Sequence, residues 1–279
     1  MINSSFRAIE RLPLISYPLL NPKRLFVKLF RVSFQSSSDQ RRFGGAQLVS
    51  MAQSTKQLQM GIGCKPGFIL PSSGEHVEEA IDAIKAGNVI AVPTDTLYGF
   101  ACDACSAEAV NRIYEIKGRK LTSPLAICVA DVADIPRFAI ADHLPIGLLD
   151  QLLPGPVTVI LKRGSSSVLE KSLNPGLESI GVRVPDFDFI RSVARGSQSA
   201  LALTSANLSG QPSSVSIRDF EELWPQCALV YDGGTLPAGR AGSTVVDLVN
   251  PGLYKILRDG SAREETTAIL QNFGLKEAM

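Results

Sequence analysis

The order of apolar segments along the chain is the feature that most constrains its fold. Up to residue 203, short apolar runs typical of buried strands alternate with segments of helical periodicity, and after residue 227 the strand-like runs follow one another closely. Alternation of this kind favours an α/β fold, and clustered strands add antiparallel partners to its sheet. We therefore predict an α/β domain with a twisted, mixed β-sheet flanked by helices.

The individual elements follow from periodicity and from residues that start or stop helices. Ser106 is a good N-cap, and Gly118 stands where a helix C-terminus needs a left-handed residue. The predicted helices span residues 75–86, 106–118, 144–153, 187–195, 217–224 and 264–273. The predicted strands span residues 88–93, 124–129, 156–162, 179–184, 200–203, 228–231, 243–249 and 253–257.

The first 60 residues differ in composition from the rest. Of the 28 basic and 27 acidic residues, eight and two lie in residues 1–50, which leaves residues 51–279 with a net charge of −5. A basic, acid-poor and Ser-rich start is typical of an organelle transit peptide, although a disordered tail without a targeting role has a similar composition. We expect a presequence or disordered segment over 1–60, import into a mitochondrion or chloroplast, and a cytoplasmic product if translation starts at Met51. The folded domain then spans 61–279.

Cysteine and histidine are too sparse to indicate a disulfide framework or a zinc site. The chain has five cysteines, of which Cys102 and Cys105 form one CxxC, and two isolated histidines. A single CxxC without further ligands at suitable spacing is a weak metal signal. A redox pair is conceivable, but small buried thiols explain the pair as well.

Polar side chains collect where several predicted strands and helices end. PTDTLYGF (93–100) follows the first buried strand, and its threonines supply hydrogen-bonding groups that a plain turn does not need. TSANLSG (204–210) follows another strand and could form either a phosphate-binding backbone nest or a capped turn. Lys117 and Arg119 lie at a helix C-terminus, where cations also compensate the helix dipole.

Two common classes of nucleotide site and one class of hydrolase are not indicated. The sequence has neither a GxxxxGK[ST] motif nor a GxGxxG motif at a strand–helix junction, and its histidines lie away from the polar clusters. Chemistry at these clusters must depend on cations, hydroxyls and backbone N–H groups. That combination suits phosphoryl or nucleotidyl transfer, in which positioning and charge neutralisation dominate.

Six segments in order give the chain a family resemblance. They are PTDTLYGF (93–100), KGRKLTSPL (117–125), LLPGPVTVIL (152–161), VRVP (182–185), TSANLSG (204–210) and GSTVVDL (242–248). Together they resemble the YrdC-like family of threonylcarbamoyl-AMP synthases, in its single-domain form, over about residues 68–262. One departure is that Lys120 follows Arg119, where the family usually has proline.

The resemblance implies a concave, basic ligand surface and a specific reaction. A YrdC-like enzyme would use L-threonine, bicarbonate and ATP, with Mg²⁺, to make threonylcarbamoyl-AMP and pyrophosphate. A downstream threonylcarbamoyl-transferase complex would then modify adenosine 37 of tRNAs that read ANN codons. The alternative is a non-catalytic module that binds double-stranded RNA or tRNA, although the net charge of −5 argues against broad affinity for a phosphate backbone. We expect no membrane association.

The resemblance also assigns roles to residues of this sequence. Lys117 and Arg119 are expected to be catalytic. The L-threonine site is expected to comprise Thr96, Arg183, Thr204 and Ser243. The ATP site is expected to comprise Lys117, Arg119, Ser123, Ser179, Ser205, Asn207, Ser213 and Arg258.

Overall fold

The computed structural model of the protein describes residues 67–118, 124–237 and 239–278. These residues belong to one structural unit, which spans Met60–Met279. The predicted presequence, the predicted domain boundary at residues 60 and 61, and the start site at Met51 lie outside the described residues and stay predictions.

Five α-helices and three 3₁₀-helices lie in the described ranges. The α-helices are α1 (Val77–Lys85), α2 (Ala107–Lys117), α3 (Leu148–Leu152), α4 (Asp188–Ser197) and α5 (Arg263–Asn272), and the 3₁₀-helices are Gly74–His76, Val132–Arg137 and Ile217–Gln226. The Ser106 hydroxyl accepts a hydrogen bond from the Ala109 N–H at 3.3 Å, and Gly118 caps α2 with a φ of 55°, as predicted. Within these residues, no helix has the length and apolarity that crossing a membrane requires.

Twelve strands of the described residues form one mixed sheet. They are β1 (Phe68–Pro71), β2 (Ile90–Val92), β3 (Gly99–Asp103), β4 (Ala126–Cys128), β5 (Ala139–Ile140), β6 (Val157–Arg163), β7 (Ser179–Arg183), β8 (Leu201–Ser205), β9 (Leu229–Asp232), β10 (Thr244–Asp247), β11 (Leu253–Arg258) and β12 (Lys276–Glu277). The order is β1-β9-β2-β3-β8-β4-β7-β6-β10-β11-β12, and β5 pairs with β6. The predicted α/β fold with a mixed sheet is confirmed.

The strand that begins at Gly99, within the last residues of PTDTLYGF, was not predicted from the sequence. β3 pairs antiparallel with both β2 and β8, so residues 93–98 are the loop of a hairpin and not a strand–helix connection. Its sequence, GFACD, has no β-branched residue, which hid its strand character. The predicted helix over 217–224 is instead a 3₁₀-helix with a kink at Phe220, where φ is −137°.

The sheet carries a hydrophobic core on each of its faces. α1 and α4 pack on one face against residues such as Ile90, Leu201 and Tyr231. α2, α3 and α5 pack on the other face against residues such as Phe100 and Val182. Because side chains of a strand point alternately to the two faces, neighbouring residues belong to different cores. Each fully buried Ile or Leu contributes about 1.5–3 kcal/mol to this packing.

Candidate functional site

A cavity of about 390 Å³ lies against the sheet. Its lining residues are Thr94, Thr96, Leu97, Tyr98, Gly99, Pro124, Leu125, Ala126, Thr158, Ile160, Gly181, Arg183, Leu203, Thr204, Ser205, Ser213, Ala241, Ser243, Val245 and Arg258. Two arginines and several hydroxyls are present among them, whereas the described lining residues include no carboxylate. The guanidinium and hydroxyl groups of this lining can donate hydrogen bonds to an anionic ligand.

The floor of the cavity is one face of six adjacent strands, in the order β3, β8, β4, β7, β6 and β10. Register places Ala126 opposite both Leu203 and Gly181, while Gly181 is opposite Ile160. The floor lies on the same face as α1 and α4, beside the area that these helices cover. A Cβ atom at Gly181 would lie 3.0 Å from Thr158 Cγ2, so the absence of a side chain at this position leaves space in the cavity.

Threonine hydroxyls fix the hairpin loop of residues 93–98 against the cavity. Thr94 Oγ1 donates to the Leu97 carbonyl at 2.8 Å and accepts from the N–H groups of Thr96 and Leu97, each at 3.2 Å. Thr94 and Thr96 are both buried, and their hydroxyl oxygens are 3.2 Å apart. The second threonine therefore reaches the cavity from a loop whose own turn is already satisfied by the first.

Arg183, at the end of β7, makes two charge-assisted hydrogen bonds at the cavity. Its Nη2 donates to Asp95 Oδ1 at 2.6 Å and to Thr96 Oγ1 at 3.1 Å. Asp95 also accepts from the Asp186 N–H at 3.0 Å, which ties the hairpin loop to the end of β7. Arg183 Nε is buried without a hydrogen-bond partner. An arginine with an unused buried donor can still donate a hydrogen bond to the carboxylate of a ligand.

Tyr98 anchors the other side of the hairpin loop. Its hydroxyl donates to the Gly234 carbonyl at 2.7 Å and accepts from the Gly233 N–H at 2.9 Å. Burial raises the pKa of Tyr98 to about 12, although the Gly233 N–H opposes this shift. The phenol therefore stays protonated at neutral pH and serves as a structural anchor rather than as a general base.

Ser243 contacts two further cavity residues, Thr158 and Arg258. Its hydroxyl is 2.7 Å from that of Thr158, and Arg258 Nη2 donates to the Ser243 hydroxyl at 3.0 Å and to its carbonyl at 2.9 Å. This network holds the Arg258 guanidinium beside the cavity, at the end of β11.

Lys117, the last residue of α2, fixes residues 204–210, a segment called the 204–210 loop that comprises the last two residues of β8 and the turn after them. The Lys117 side chain is buried, and its Nζ donates to the carbonyls of Ser205 and Asn207 at 2.6 and 2.8 Å. Nζ also donates to Asn207 Oδ1 at 3.2 Å, and the Ser209 N–H donates to the Lys117 carbonyl at 3.0 Å. The lysine ammonium thus forms part of the hydrogen-bond network that holds the loop in place.

The structure brings together most of the residues to which the resemblance gave roles. Seven of them line the cavity, namely Thr96, Arg183, Thr204, Ser205, Ser213, Ser243 and Arg258. Asn207 belongs to the 204–210 loop, and Lys117 donates to it from the end of α2. Ser179 lies at the start of β7, two residues before Gly181. Arg119 and Ser123 lie outside the described residues. The roles themselves remain predictions.

Sequence reasoning missed two parts of the site. It gave Asp95 no role, although Asp95 is the ion-pair partner of Arg183, because 88 residues separate the two along the chain. It also gave no role to Gly99, Ala126 and Gly181, the small floor residues. Small residues in strands are a weak signal in a single sequence, since glycine there also marks bulges and bends.

Thiols and metal ligands do not form a second site in the described part of the chain. Cys102 is buried, Cys105 is half-buried, neither is in a disulfide, and burial raises the pKa of both thiols. Cys128 is fully buried beside Arg183 in the sheet register, and burial raises the pKa of its thiol to about 12 despite that arginine. Residues 67–118, 124–237 and 239–278 contain no cluster of three or more His, Cys, Asp or Glu that could hold a metal ion.

Curated proteins with similar sequences share one name. The chain is 48% identical to threonylcarbamoyl-AMP synthase of Bos taurus over 206 residues, which are 72% of this chain and 74% of that protein. It is 48% identical to the human protein of the same name over 207 residues, which are 72% of this chain and 73% of that protein.

Solved structures share the fold. The complex of Pyrococcus abyssi Sua5 with L-threonine matches with a TM-score of 0.64 and 28% identity, over 76% of this chain and 61% of that one. The chain thus spans about three fifths of the archaeal protein. Escherichia coli YciO matches with a TM-score of 0.61, 24% identity, and coverage of 69% of this chain and 94% of that one. The Sua5/YciO/YrdC family model, described as "Telomere recombination", matches residues 82–260. With well over half of its length matched, the chain belongs to the Sua5/YciO/YrdC family.

Proposed function

We propose that the protein is a threonylcarbamoyl-AMP synthase. It would combine L-threonine, bicarbonate and ATP to give threonylcarbamoyl-AMP, pyrophosphate and water. The observation that carries the proposal is the cavity on the open sheet face, where Arg183 and Thr96 meet beside the hydroxyls of Ser205 and Ser243. The name shared by relatives that are 48% identical, and the complex of the archaeal relative with L-threonine, support it.

Arg183 would bind the carboxylate of L-threonine. Its Nε is buried and lacks a hydrogen-bond partner, and a charge-assisted hydrogen bond from a guanidinium to a carboxylate is among the strongest that a protein makes. Thr96 lies 3.1 Å from the same guanidinium, so its hydroxyl would face the amino acid near the carboxylate.

The chemistry would proceed by nucleotidyl transfer. The threonine amine attacks the carbon of bicarbonate, a C–N bond forms, and loss of water leaves a carbamate. A carbamate oxygen then attacks the α-phosphorus of ATP, and the bond to the β,γ-pyrophosphate breaks. Arg258, which is held at the cavity by Ser243, and the predicted phosphate ligand Arg119 would offset the negative charge that accumulates.

Mg²⁺ would enter with ATP. The described residues provide no carboxylate cluster for the ion, so phosphate oxygens and water would complete its shell. Chelation should then abolish turnover without unfolding the protein, which circular dichroism and activity measured in EDTA would test.

The experiment that tests the function uses the full chain with ATP, Mg²⁺ and bicarbonate. Pyrophosphate release is followed with L-threonine, with L-serine and without an amino acid. Release that requires both threonine and bicarbonate is expected. Release that is independent of threonine would exclude the proposed reaction.

The product implies a partner, because an acyl adenylate must be consumed by an acyl transfer. We propose that a separate threonylcarbamoyl-transferase complex passes the group to adenosine 37 of tRNA. Binding of tRNA without any ATP turnover would instead favour the alternative, a non-catalytic RNA-binding module.

A further inference from the structure

The 204–210 loop contains a chain of hydrogen bonds whose direction is determined by chemistry alone. Lys117 Nζ can only donate, so the atom of Asn207 that it contacts at 3.2 Å must be the amide oxygen. The amide nitrogen of Asn207 lies 2.9 Å from the Leu208 carbonyl and 2.7 Å from the Gln211 carbonyl, both of which can only accept. The Asn207 amide therefore has one possible orientation.

That orientation fixes the proton of Ser205. The Ser205 hydroxyl lies 2.5 Å from Asn207 Oδ1, and since Oδ1 is an acceptor, Ser205 must donate to it. A serine hydroxyl has a single proton and two lone pairs. Ser205 also lines the cavity, where only its lone pairs remain for a ligand.

We infer that Ser205 is a hydrogen-bond acceptor in the cavity, and that Lys117 is the positioning residue that fixes this polarity through Asn207. The ligand group that meets Ser205 is then a donor, namely a hydroxyl or an amine, and not a phosphate or carboxylate oxygen. The inference rests on the proposed function, because it describes how that substrate pair is recognised. It also gives Lys117 a role behind the loop, in place of direct contact with phosphates.

The donor has two possible sources in the proposed reaction. ATP carries donors on its ribose and on the adenine amine, while L-threonine carries them on its ammonium and its hydroxyl. The triphosphate is largely ionised near neutral pH, so its oxygens act mainly as acceptors. Analogues that lack one donor each can therefore distinguish the sources without altering the phosphates.

The test compares Ser205→Ala with the wild-type full chain over a series of analogues. For the nucleotide, kcat/KM is measured with ATP, 2′-deoxy-ATP, 3′-deoxy-ATP and the triphosphate of purine riboside. For the amino acid, inhibition constants are measured for L-2-aminobutyrate, which lacks the hydroxyl, and for 3-hydroxybutyrate, which lacks the amine. We expect Ser205→Ala to lower kcat/KM about tenfold, the effect of losing one hydrogen bond.

The decisive quantity is the coupling, defined as the difference between the effect of an analogue in the wild type and its effect in Ser205→Ala. In the wild type, one analogue should lower kcat/KM, or raise the inhibition constant, about tenfold relative to its parent compound. In Ser205→Ala, the same analogue should change that constant less than about twofold. If every analogue costs the same in both proteins, Ser205 accepts no hydrogen bond from the substrates and the inference is wrong.

Lys117→Met tests the positioning role. Methionine fills the space without a donor, so the coupling should disappear as it does in Ser205→Ala, while inhibition by pyrophosphate stays within about twofold of wild type. A loss of pyrophosphate inhibition with the coupling intact would make Lys117 a phosphate ligand and overturn its assignment.

A control separates this effect from general loosening of the loop. The buried Ser214 hydroxyl donates to the Ala206 carbonyl at 2.6 Å and does not line the cavity. Ser214→Ala should lower the Tm yet keep the wild-type ratio between ATP and each analogue. If the wild type itself shows no turnover, the proposed function fails, and the same series measured by calorimetry as Kd values still tests Ser205.

Discussion

Arg183 and Asp95 form an ion pair at the cavity in which the side chains are 10% and 8% exposed. A pair this buried differs from the surface pairs of the protein, such as Arg195 with Asp131, in which the side chains are 54% and 43% exposed. Water screens the exposed pair, while the buried charges depend on each other and on nearby hydrogen bonds. The two pairs should therefore respond differently to substitution.

Replacing Arg183 should affect one substrate selectively. Arg183→Lys keeps the charge but loses the planar fork, so we expect the KM for L-threonine to rise at least tenfold while that for ATP changes less than about threefold. Steady-state pyrophosphate release measures both constants. Arg195→Lys is the matched control and should leave both unchanged. An unchanged threonine KM in Arg183→Lys would rule out Arg183 as the carboxylate ligand.

Replacing Asp95 should affect stability. Asp95→Ala leaves the buried guanidinium without its counter-charge, so the free energy of unfolding should fall by about 3 kcal/mol. Asp131→Ala removes an exposed partner and should cost about 1 kcal/mol or less. Urea unfolding of both variants gives the two values. Equal losses would mean that the Asp95 pair is screened as well as the surface pair.

At the scale of elements, the cavity depends on strands that carry small residues on one face. Gly99, Ala126 and Gly181 lie on three different strands, and the hairpin loop of residues 93–98 lies against the same cavity. Because Thr94 satisfies that loop internally, the loop can hold Thr96 at the cavity without help from a ligand. The strands set the floor, and the loops supply the polar groups.

A larger side chain on the cavity floor should impair substrate binding more than it destabilises the fold. In Gly181→Val, the added carbons would meet Thr158 Cγ2 and occupy part of the cavity, so we expect kcat/KM to fall at least tenfold. The free energy of unfolding should fall by about 1–3 kcal/mol, the usual cost of extra volume in a packed region. Gly74→Val is the control, because a Cβ at Gly74 meets nothing within 4 Å. Wild-type kinetics in Gly181→Val would place the substrates elsewhere.

The sequence predicts elements well where local signals act and poorly where partners are distant. Helix α2 has both its cap and its terminating glycine where they were predicted, since a cap depends on residues within one turn. Strand β3 was missed, because its own sequence GFACD has no β-branched residue and its partner β8 lies far along the chain. The hydrogen bonds of the Lys117 ammonium were likewise not predicted, because their acceptor Ser205 lies 88 residues further along the chain.

At the scale of the whole molecule, the two faces of the sheet have different roles, one structural and one partly functional. One face is covered by α2, α3 and α5, whereas the other is only partly covered by α1 and α4. The part left open lies over six adjacent strands and forms the cavity floor. The α/β class was predictable from the alternation of elements, but the uncovered area follows from the strand order, which no local pattern contains.

The composition of the N-terminal 60 residues predicts the cellular compartment of the protein. We propose that residues 1–50 direct the chain to a mitochondrion or chloroplast, on the basis of their eight basic and two acidic residues. A fluorescent protein fused behind residues 1–50 should enter the organelle, and substitution of Arg7, Arg11, Lys23 and Arg24 by Gln should reduce entry. A fusion to residues 51–279 should stay in the cytoplasm, and its entry into the organelle would contradict the proposal.

The alternation of side chains along the floor strands has a consequence for how the protein can change. On β7, Gly181 and Arg183 face the cavity while Ile180 and Val182 face the core, and on β8 the same division separates Leu203 and Ser205 from Ala202. Residues that line the cavity are thus interleaved with residues of the core on the other face. A new substrate preference could therefore arise by substitutions at alternate positions of a few strands, while the core residues between them stay the same.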